Sequence, residues 1–217
     1  MIIGLGHKKQ VGKDTVAKIL LSFLYWDEVG MEMDKNSLLK NLRKSYYRFG
    51  VTNWITMSFA DKLKEVASIV FDIKREDWND SSVKASLVSN YNLTGRDILQ
   101  KIGESFRKEI SPDIWVNSLF SKYDKLNYRT HFEDTIKPNL IITDVRMPNE
   151  AQAIKDRGGI LIRVDRETRY KDNHISETAL DDYDRWDYVI DNNGTLEELI
   201  DKVKELYDMT EGFTISK

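Results

Sequence analysis

The chain has no cysteine, and only three prolines and three histidines, among its 217 residues. The missing cysteines exclude disulfides, thiolate zinc sites and a cysteine nucleophile. The histidines, His7, His131 and His174, show no ligand spacing, so a histidine metal centre is not expected. No apolar run is long enough to span a bilayer, and the N-terminus reads as a strand without a cleavage pattern. A soluble protein of the cytoplasm, with no membrane partner, is therefore the expectation, and the sequons at Asn79, Asn92 and Asn193 carry no weight. A net charge of −3 leaves nucleic-acid coating without electrostatic support. Internal repeats, low-complexity tracts and a clear linker are also lacking. What remains, with 41% apolar residues, is enough for one α/β domain with a substantial core and insertions.

The most informative stretch is the first. Met1–Leu5 is apolar, Gly6 to Gly12 is a basic glycine-bearing turn, and Val16, Ile19, Leu20, Phe23 and Leu24 recur at helical spacing. Strand, turn and helix in this order form a phosphate-binding loop. Backbone N–H groups wrap the anion, the helix start adds its positive dipole end, and Lys13 adds a full charge. Lys9, Gln10, Val11, Gly12, Lys13, Asp14 and Thr15 are the candidate phosphate-binding residues of a nucleotide site. Two positions depart from G-x-x-x-x-G-K-[S/T]. His7 stands at the first glycine, with Gly6 one residue early, and Asp14 stands at the hydroxyl position, with Thr15 one residue late.

Further strands are predicted at 51–59, 138–146, 160–164 and 188–190. Helices are expected after Ala60, from Thr94, from Pro112 at N1, from Asn149 to the stop at Gly158-Gly159, and from Thr195. Residues 31–50 read as an insertion or flap with a short helix at Leu38–Leu42. Residues 71–92 read as a polar connection carrying about one helical turn. In the helix from Thr94, Asp97 sits where a capping box places its acid. Arg96, Gln100, Gly103 and Arg107 form a polar stripe bordering the apolar face of Ile98, Leu99, Ile102 and Phe106. Repeated strand–helix units predict a parallel five-stranded sheet with helices on both faces, and ligands bind at the carboxyl ends of such strands. The polar clusters fall there: Gly12-Lys13, Asp61–Lys64, Asp144–Arg146, Arg166–Glu177 and Asn192–Gly194.

An acid ending a second apolar strand is what a Mg²⁺–nucleotide site requires. Asp144 is the candidate, with Thr15 and Asp14 as loop partners. Asp144 also fits a cap for the turn at Met147, and Asp14 fits a metal, a helix-cap or a Thr15-orienting role. Lys13, Lys64, Arg96, Arg146, Arg166 and Arg169 together suit a cleft for two phosphates.

Several motifs carry a family resemblance. They are Lys8-Lys9-Gln-Val-Gly12-Lys13-Asp14-Thr15, Phe59-Ala-Asp-Lys-Leu-Lys64, Arg96-Asp-Ile-Leu-Gln100-Lys-Ile-Gly103, Trp115-Val116, Thr143-Asp144-Val-Arg146-Met-Pro-Asn149-Glu150-Ala151, His174-Ile-Ser-Glu177 and Ile190-Asp-Asn-Asn193-Gly194. In this order they resemble the deoxynucleoside monophosphate kinases of tailed bacteriophages, a branch of the P-loop nucleotide kinases. The resemblance implies an ATP-dependent, Mg²⁺-using kinase that phosphorylates a deoxynucleoside 5′-monophosphate in the host cytoplasm. It implies one kinase domain over 1–217, with an insertion near 30–50, acceptor-binding helices within 60–130 and a lid at 166–184. Lys13, Arg146 and Asp144 would be catalytic, and Lys64, Arg96, Gln100, Trp115, Arg146 and Glu150 would meet the acceptor. Arg166, Arg169, His174 and Glu177 would belong to the lid, and Asn192, Asn193 and Gly194 would pass the adenine. The oligomeric state stays open, with a homodimer among the options.

Two rival readings keep the loop. One is a kinase of another small acceptor, such as phosphomevalonate or dephospho-coenzyme A. The other is a slowly hydrolysing regulatory switch. Its base-reading motif has only a near match, Ser121-Lys-Tyr-Asp124, which follows a predicted helix.

Overall fold

The computed structural model describes residues 1–32, 34–42, 53–88, 90–129, 135–168 and 174–210. In chain order the elements are β1 (Ile2–Gly6), α1 (Lys13–Glu28), α2 (Lys35–Leu42), β2 (Trp54–Met57), α3 (Ala60–Phe71), α4 (Ser81–Ala85), β3 (Leu87–Val88) and β4 (Leu93–Thr94). There follow α5 (Gly95–Glu109), α6 (Ile114–Tyr123), β5 (Tyr128–Arg129), β6 (Thr135–Ile136), β7 (Asn139–Val145), α7 (Pro148–Lys155), β8 (Ile160–Asp165), α8 (Ile175–Thr178), β9 (Tyr188–Asp191) and α9 (Leu196–Met209). Two compact units share these elements: Met1–Met57 with Asn127–Lys217, and Ser58–Leu126. Among the described residues, no helix is long and apolar enough to cross a membrane.

The first unit holds the five-stranded sheet, in the order β2-β7-β1-β8-β9 with every neighbouring pair parallel. Its central strand β1 is buried at every residue, so it must be apolar or small throughout. Alternation then decides which face each residue serves. Ile3 and Leu5 join Val16, Ile19, Leu20 and Phe23 of α1 and Leu199, Ile200 and Val203 of α9 in one core. On the opposite face, a Cβ at Gly4 would meet Ile154 of α7 and Leu161 of β8. The sheet is thus covered on both sides, as the buried apolar strands require.

Three expectations shift. Helix α2 is part of the core rather than a flap, because Leu38 is fully buried against the α1–α9 cluster, with Leu39 and Leu42 packed beside it. The N-terminal part of the predicted second strand and most of the latter half of the 31–50 insertion lie outside the described residues. The stretch 71–92 carries more than the one helical turn expected of it. It carries a short 3₁₀ turn at Asp77–Asn79, helix α4 and the β3–β4 hairpin, and Trp78 is fully buried with Ala67 and Ile98 as a core of the second unit.

In that second unit the α5 start follows the predicted capping box. Thr94 Oγ1 accepts from Asp97 N at 3.2 Å and Asp97 Oδ2 accepts from Thr94 N at 2.9 Å. Helix α6 starts later than expected. Asp113 is its N-cap and Ile114 its first residue, so Pro112 precedes the helix instead of opening it. Ser121, Lys122 and Tyr123 belong to α6 itself, away from any strand end.

Candidate nucleotide site

β1 ends at Gly6 and α1 begins at Lys13, which leaves His7 to Gly12 as the loop. Three of its residues take positive φ: His7 at 87°, Gln10 at 63° and Gly12 at 99°. Switching handedness along a short loop turns backbone N–H groups toward one centre, a concavity suited to an anion. Helix α1 starts without a side-chain cap, because its N-cap is Gly12. Helices α5 and α9 instead have full capping boxes, Thr94 with Asp97 and Thr195 with Glu198. The start of α1 therefore faces the loop with its dipole uncapped by a side chain.

Gly12 is required twice over. Its φ lies in the left-handed region, and a Cβ there would sit 2.3 Å from Asn192 Nδ2. Asn192, buried just after β9, is held by its own N–H to Asp165 O at 2.7 Å and donates Nδ2 to Val11 O at 2.7 Å. It thus ties the strand after the last crossover to the loop. Gly12→Ala must bend the loop or break this tie. If the loop yields so that about 1–3 kcal/mol is lost from the bound state, affinity for a polyphosphate should fall roughly tenfold or more. Calorimetric titration of the variant checks this, and an unchanged affinity would mean that the loop absorbs the methyl.

Lys13 lies at the centre. It is buried, and Nζ donates to His7 O at 3.0 Å and to Lys8 O. Its pKa falls from the ordinary lysine range to about 7, first because burial disfavours the ammonium and next because Arg146 is near, while Glu177, Asp144 and Asp14 act in the opposite direction. These five groups therefore share one electrostatic neighbourhood. Asp144 and Arg146 reach it from the carboxyl end of β7, where the sequence expectation put them.

Arg146 Nη1 pairs with Glu177 Oε1 from α8, and Glu177 Oε2 accepts from the loop amide Lys9 N at 2.8 Å. Glu150, expected at the acceptor, is turned back to its own helix start. Its Oε2 accepts from Arg146 N at 2.8 Å and Met147 N at 3.1 Å, and the residue is buried. The carboxylate at the Met147 turn is thus Glu150, three residues into α7, a capping arrangement that Asp144 was one candidate to supply.

Sequence reasoning missed what surrounds His7. Its Nδ1 lies 2.7 Å from Asp165 Oδ1 and its Nε2 lies 3.5 Å from Asp181 Oδ1, and Asp181 also pairs with Lys8 at 2.9 Å. Arg163 Nε donates to Asp165 Oδ1 at 2.8 Å. Burial, then Arg163, lowers the His7 pKa against the pull of Asp165. The available signal was an acid ending the apolar strand Ile160–Asp165, the pattern that singled out Asp144. Of the other expected residues, Arg166 is exposed, and the neighbouring Glu167 N donates to Asn193 Oδ1 at 2.7 Å. His174 caps α8, its Nδ1 accepting from Ser176 N at 3.2 Å. Asn193 and Gly194 are exposed in the turn before α9, and Arg169 lies outside the described residues.

The second unit carries the other expected residues. Arg96 and Gln100 are both half-buried, one turn apart on α5, and Lys64 Nζ donates to Asn79 Oδ1 at 2.9 Å. Two members change reading. Trp115 is 4% exposed, stacks on Phe106 with centroids 5.5 Å apart, and donates Nε1 to Gly103 O at 3.2 Å. Its ring packs inside the unit and its polar atom is satisfied there, so it offers no face to an acceptor base. Gly103 makes room for a protein neighbour rather than a ligand: a Cβ would lie 3.0 Å from Leu63 Cδ1.

Asp14, Thr15 and Asp144 are the residues from which the sequence leads one to expect oxygen ligands, and hard oxygen ligands suit magnesium. Among the described residues no group of three or more His, Cys, Asp or Glu could hold a metal ion.

Comparison with known proteins adds an independent line. A family model described as deoxynucleotide monophosphate kinase matches residues 24–203. That span starts after the phosphate loop, so the match and the loop geometry rest on different parts of the chain. A protein of Acanthamoeba polyphaga mimivirus with the provisional name deoxynucleotide monophosphate kinase is 30% identical over 162 residues, covering 71% of this chain and 83% of that protein. With the five-stranded parallel sheet, this establishes a kinase of the P-loop fold: the chain belongs to the deoxynucleotide monophosphate kinase family.

Proposed function

We propose that the chain transfers the γ-phosphate of ATP to a deoxynucleoside 5′-monophosphate, giving ADP and the deoxynucleoside diphosphate. The observation that carries this reading is the convergence at Lys13. A buried ammonium at the uncapped start of a helix lies within electrostatic reach of the Arg146 guanidinium and the Asp144 carboxylate, beside a loop with three positive-φ residues. Phosphoryl transfer needs little covalent help from the protein, and it responds chiefly to positioning and to charge stabilisation. Two cations at one loop suit a polyphosphate, whose oxygens would restore the charge that burial takes from Lys13.

In this reading Lys13 grips the donor phosphates together with the loop amides of Gln10 to Asp14, while the Lys9 amide stays on Glu177. Arg146 neutralises charge on the transferring group. Thr15, Asp14 and Asp144 are the residues that would hold Mg²⁺, directly or through water, and the bound ion would supply charge neutralisation on the β- and γ-phosphates. Arg96, Gln100 and Lys64 are assigned to the acceptor on the family resemblance, and Asn192 is assigned to bracing the loop.

A coupled ADP-release assay over the common deoxynucleoside and nucleoside monophosphates tests the reading, with phosphomevalonate and dephospho-coenzyme A as controls. ADP release should depend on a deoxynucleoside monophosphate. Release driven by either control changes the acceptor class. Slow hydrolysis indifferent to every acceptor would return the chain to a nucleotide switch.

A further inference from the structure

The contact that the proposed chemistry does not use is the one Glu177 makes. Its side chain is 9% exposed and that of Arg146 23%, so their ion pair is largely withdrawn from water. The same carboxylate accepts from Lys9 N at 2.8 Å, so each oxygen has its own partner, one on the loop and one at the end of β7. A buried carboxylate bonded in two directions fixes both groups it touches, because moving either one strands a charge in a site poor in water.

We infer that Glu177 is a positioning residue, which holds the Arg146 guanidinium and the loop backbone at Lys9 in one frame, so that the remaining guanidinium N–H groups and the loop amides beyond Lys9 are aimed at the same phosphate. The inference rests on the kinase reading above. Arginine has a long, rotamer-rich side chain, and a planar fork acts well only when it is aimed. Glu177 supplies that aim from α8, while Glu150 fixes the backbone of Arg146 from the other side, accepting its N–H at 2.8 Å. The segment bearing Glu177 has a second hold on the loop. Asp181 lies 2.9 Å from Lys8 Nζ and 3.5 Å from His7 Nε2, and Leu180 between them is buried. Changing Glu177 alone therefore leaves α8 tethered, and its effect reads out on Arg146.

The test is a double-mutant cycle on the full chain. Glu177→Gln keeps an oxygen for the Lys9 amide and removes the charge that holds Arg146. It should lower kcat about tenfold and leave the ATP KM within about twofold. In an Arg146→Ala background the same change should cost clearly less, only what Glu177 contributes directly to the Lys13 charge, because coupled residues are not additive. Glu177→Ala should in addition raise the ATP KM, since the loop amide loses its partner. The inference is overturned if Glu177→Gln keeps wild-type kcat. It is also overturned if Glu177→Gln loses as much activity without Arg146 as with it. A third adverse result is tighter binding of a non-hydrolysable ATP analogue to Glu177→Gln at unchanged kcat, which would mean that the carboxylate merely occupies the place of a phosphate. Wild-type ADP release is measured first. If no deoxynucleoside monophosphate supports it, the kinase reading fails; if one does, the cycle speaks to Glu177 alone.

Discussion

Lys13→Ala is expected to lower kcat by about a hundredfold or more, on the basis of roughly 3 kcal/mol for one preorganised charge at the transferring group. Its fold should survive. The Lys13 pKa is lower in the folded protein than in the unfolded chain, at about 7, with burial the main cause. The ammonium therefore opposes folding at pH values below the ordinary lysine range, and does so fully below about pH 7. Alanine removes that opposition and also the bonds to the His7 and Lys8 carbonyls, which acts in the other direction. The thermal midpoint should move by only a few degrees while turnover collapses. Steady-state kinetics and a melting curve on the same sample decide it. Wild-type turnover would remove Lys13 from the chemistry, and a collapsed melting curve would make the loss structural.

Much of this was legible in the sequence, for a physical reason. Strands buried on both faces must be continuously apolar, so Met1–Leu5, Leu140–Thr143 and Ile160–Val164 announced a parallel sheet and the loops at its carboxyl ends. Thr94 and Asp97 announced a helix start because a capping box has fixed spacing. What stayed hidden were partners set by tertiary placement. Asn192 reaches Val11 across 181 positions, Glu177 reaches Lys9 across 168, and no local pattern encodes either. Trp115 and Gly103 were misread for the same cause. Their spacing on adjacent helices is compatible with a ligand or with each other, and the indole N–H found the Gly103 carbonyl. Glu150 was absorbed into a motif beside Arg146, while its carboxylate serves the backbone of that motif. At His7, a departure from the glycine of the loop pattern is accommodated by two aspartates at the imidazole, Asp165 and Asp181, and sequence spacing alone could not pair them.

Arg146→Ala should have an effect comparable to that of Lys13→Ala, about a hundredfold in kcat, and the way it divides between kcat and KM locates the phosphate it serves. Loss in kcat alone places the guanidinium on the transferring group. An accompanying rise in the KM of the deoxynucleoside monophosphate places it on the acceptor phosphate, and a rise in the ATP KM places it on the donor. Arg146→Lys restores the charge but not the planar fork, so it should recover only part of the loss. An indirect effect through Lys13 can be set aside on the sign of the interaction. Arg146 is one of the causes that push the Lys13 pKa down. Without the guanidinium, Lys13 holds its proton more firmly, and Glu177, left without its arginine partner, favours that charge further. Both changes strengthen the ammonium at the loop and therefore work against the predicted loss. A hundredfold fall in spite of them belongs to Arg146 itself, whereas unchanged kcat and KM values would leave the Arg146–Glu177 pair with only a role in packing α8 onto the loop.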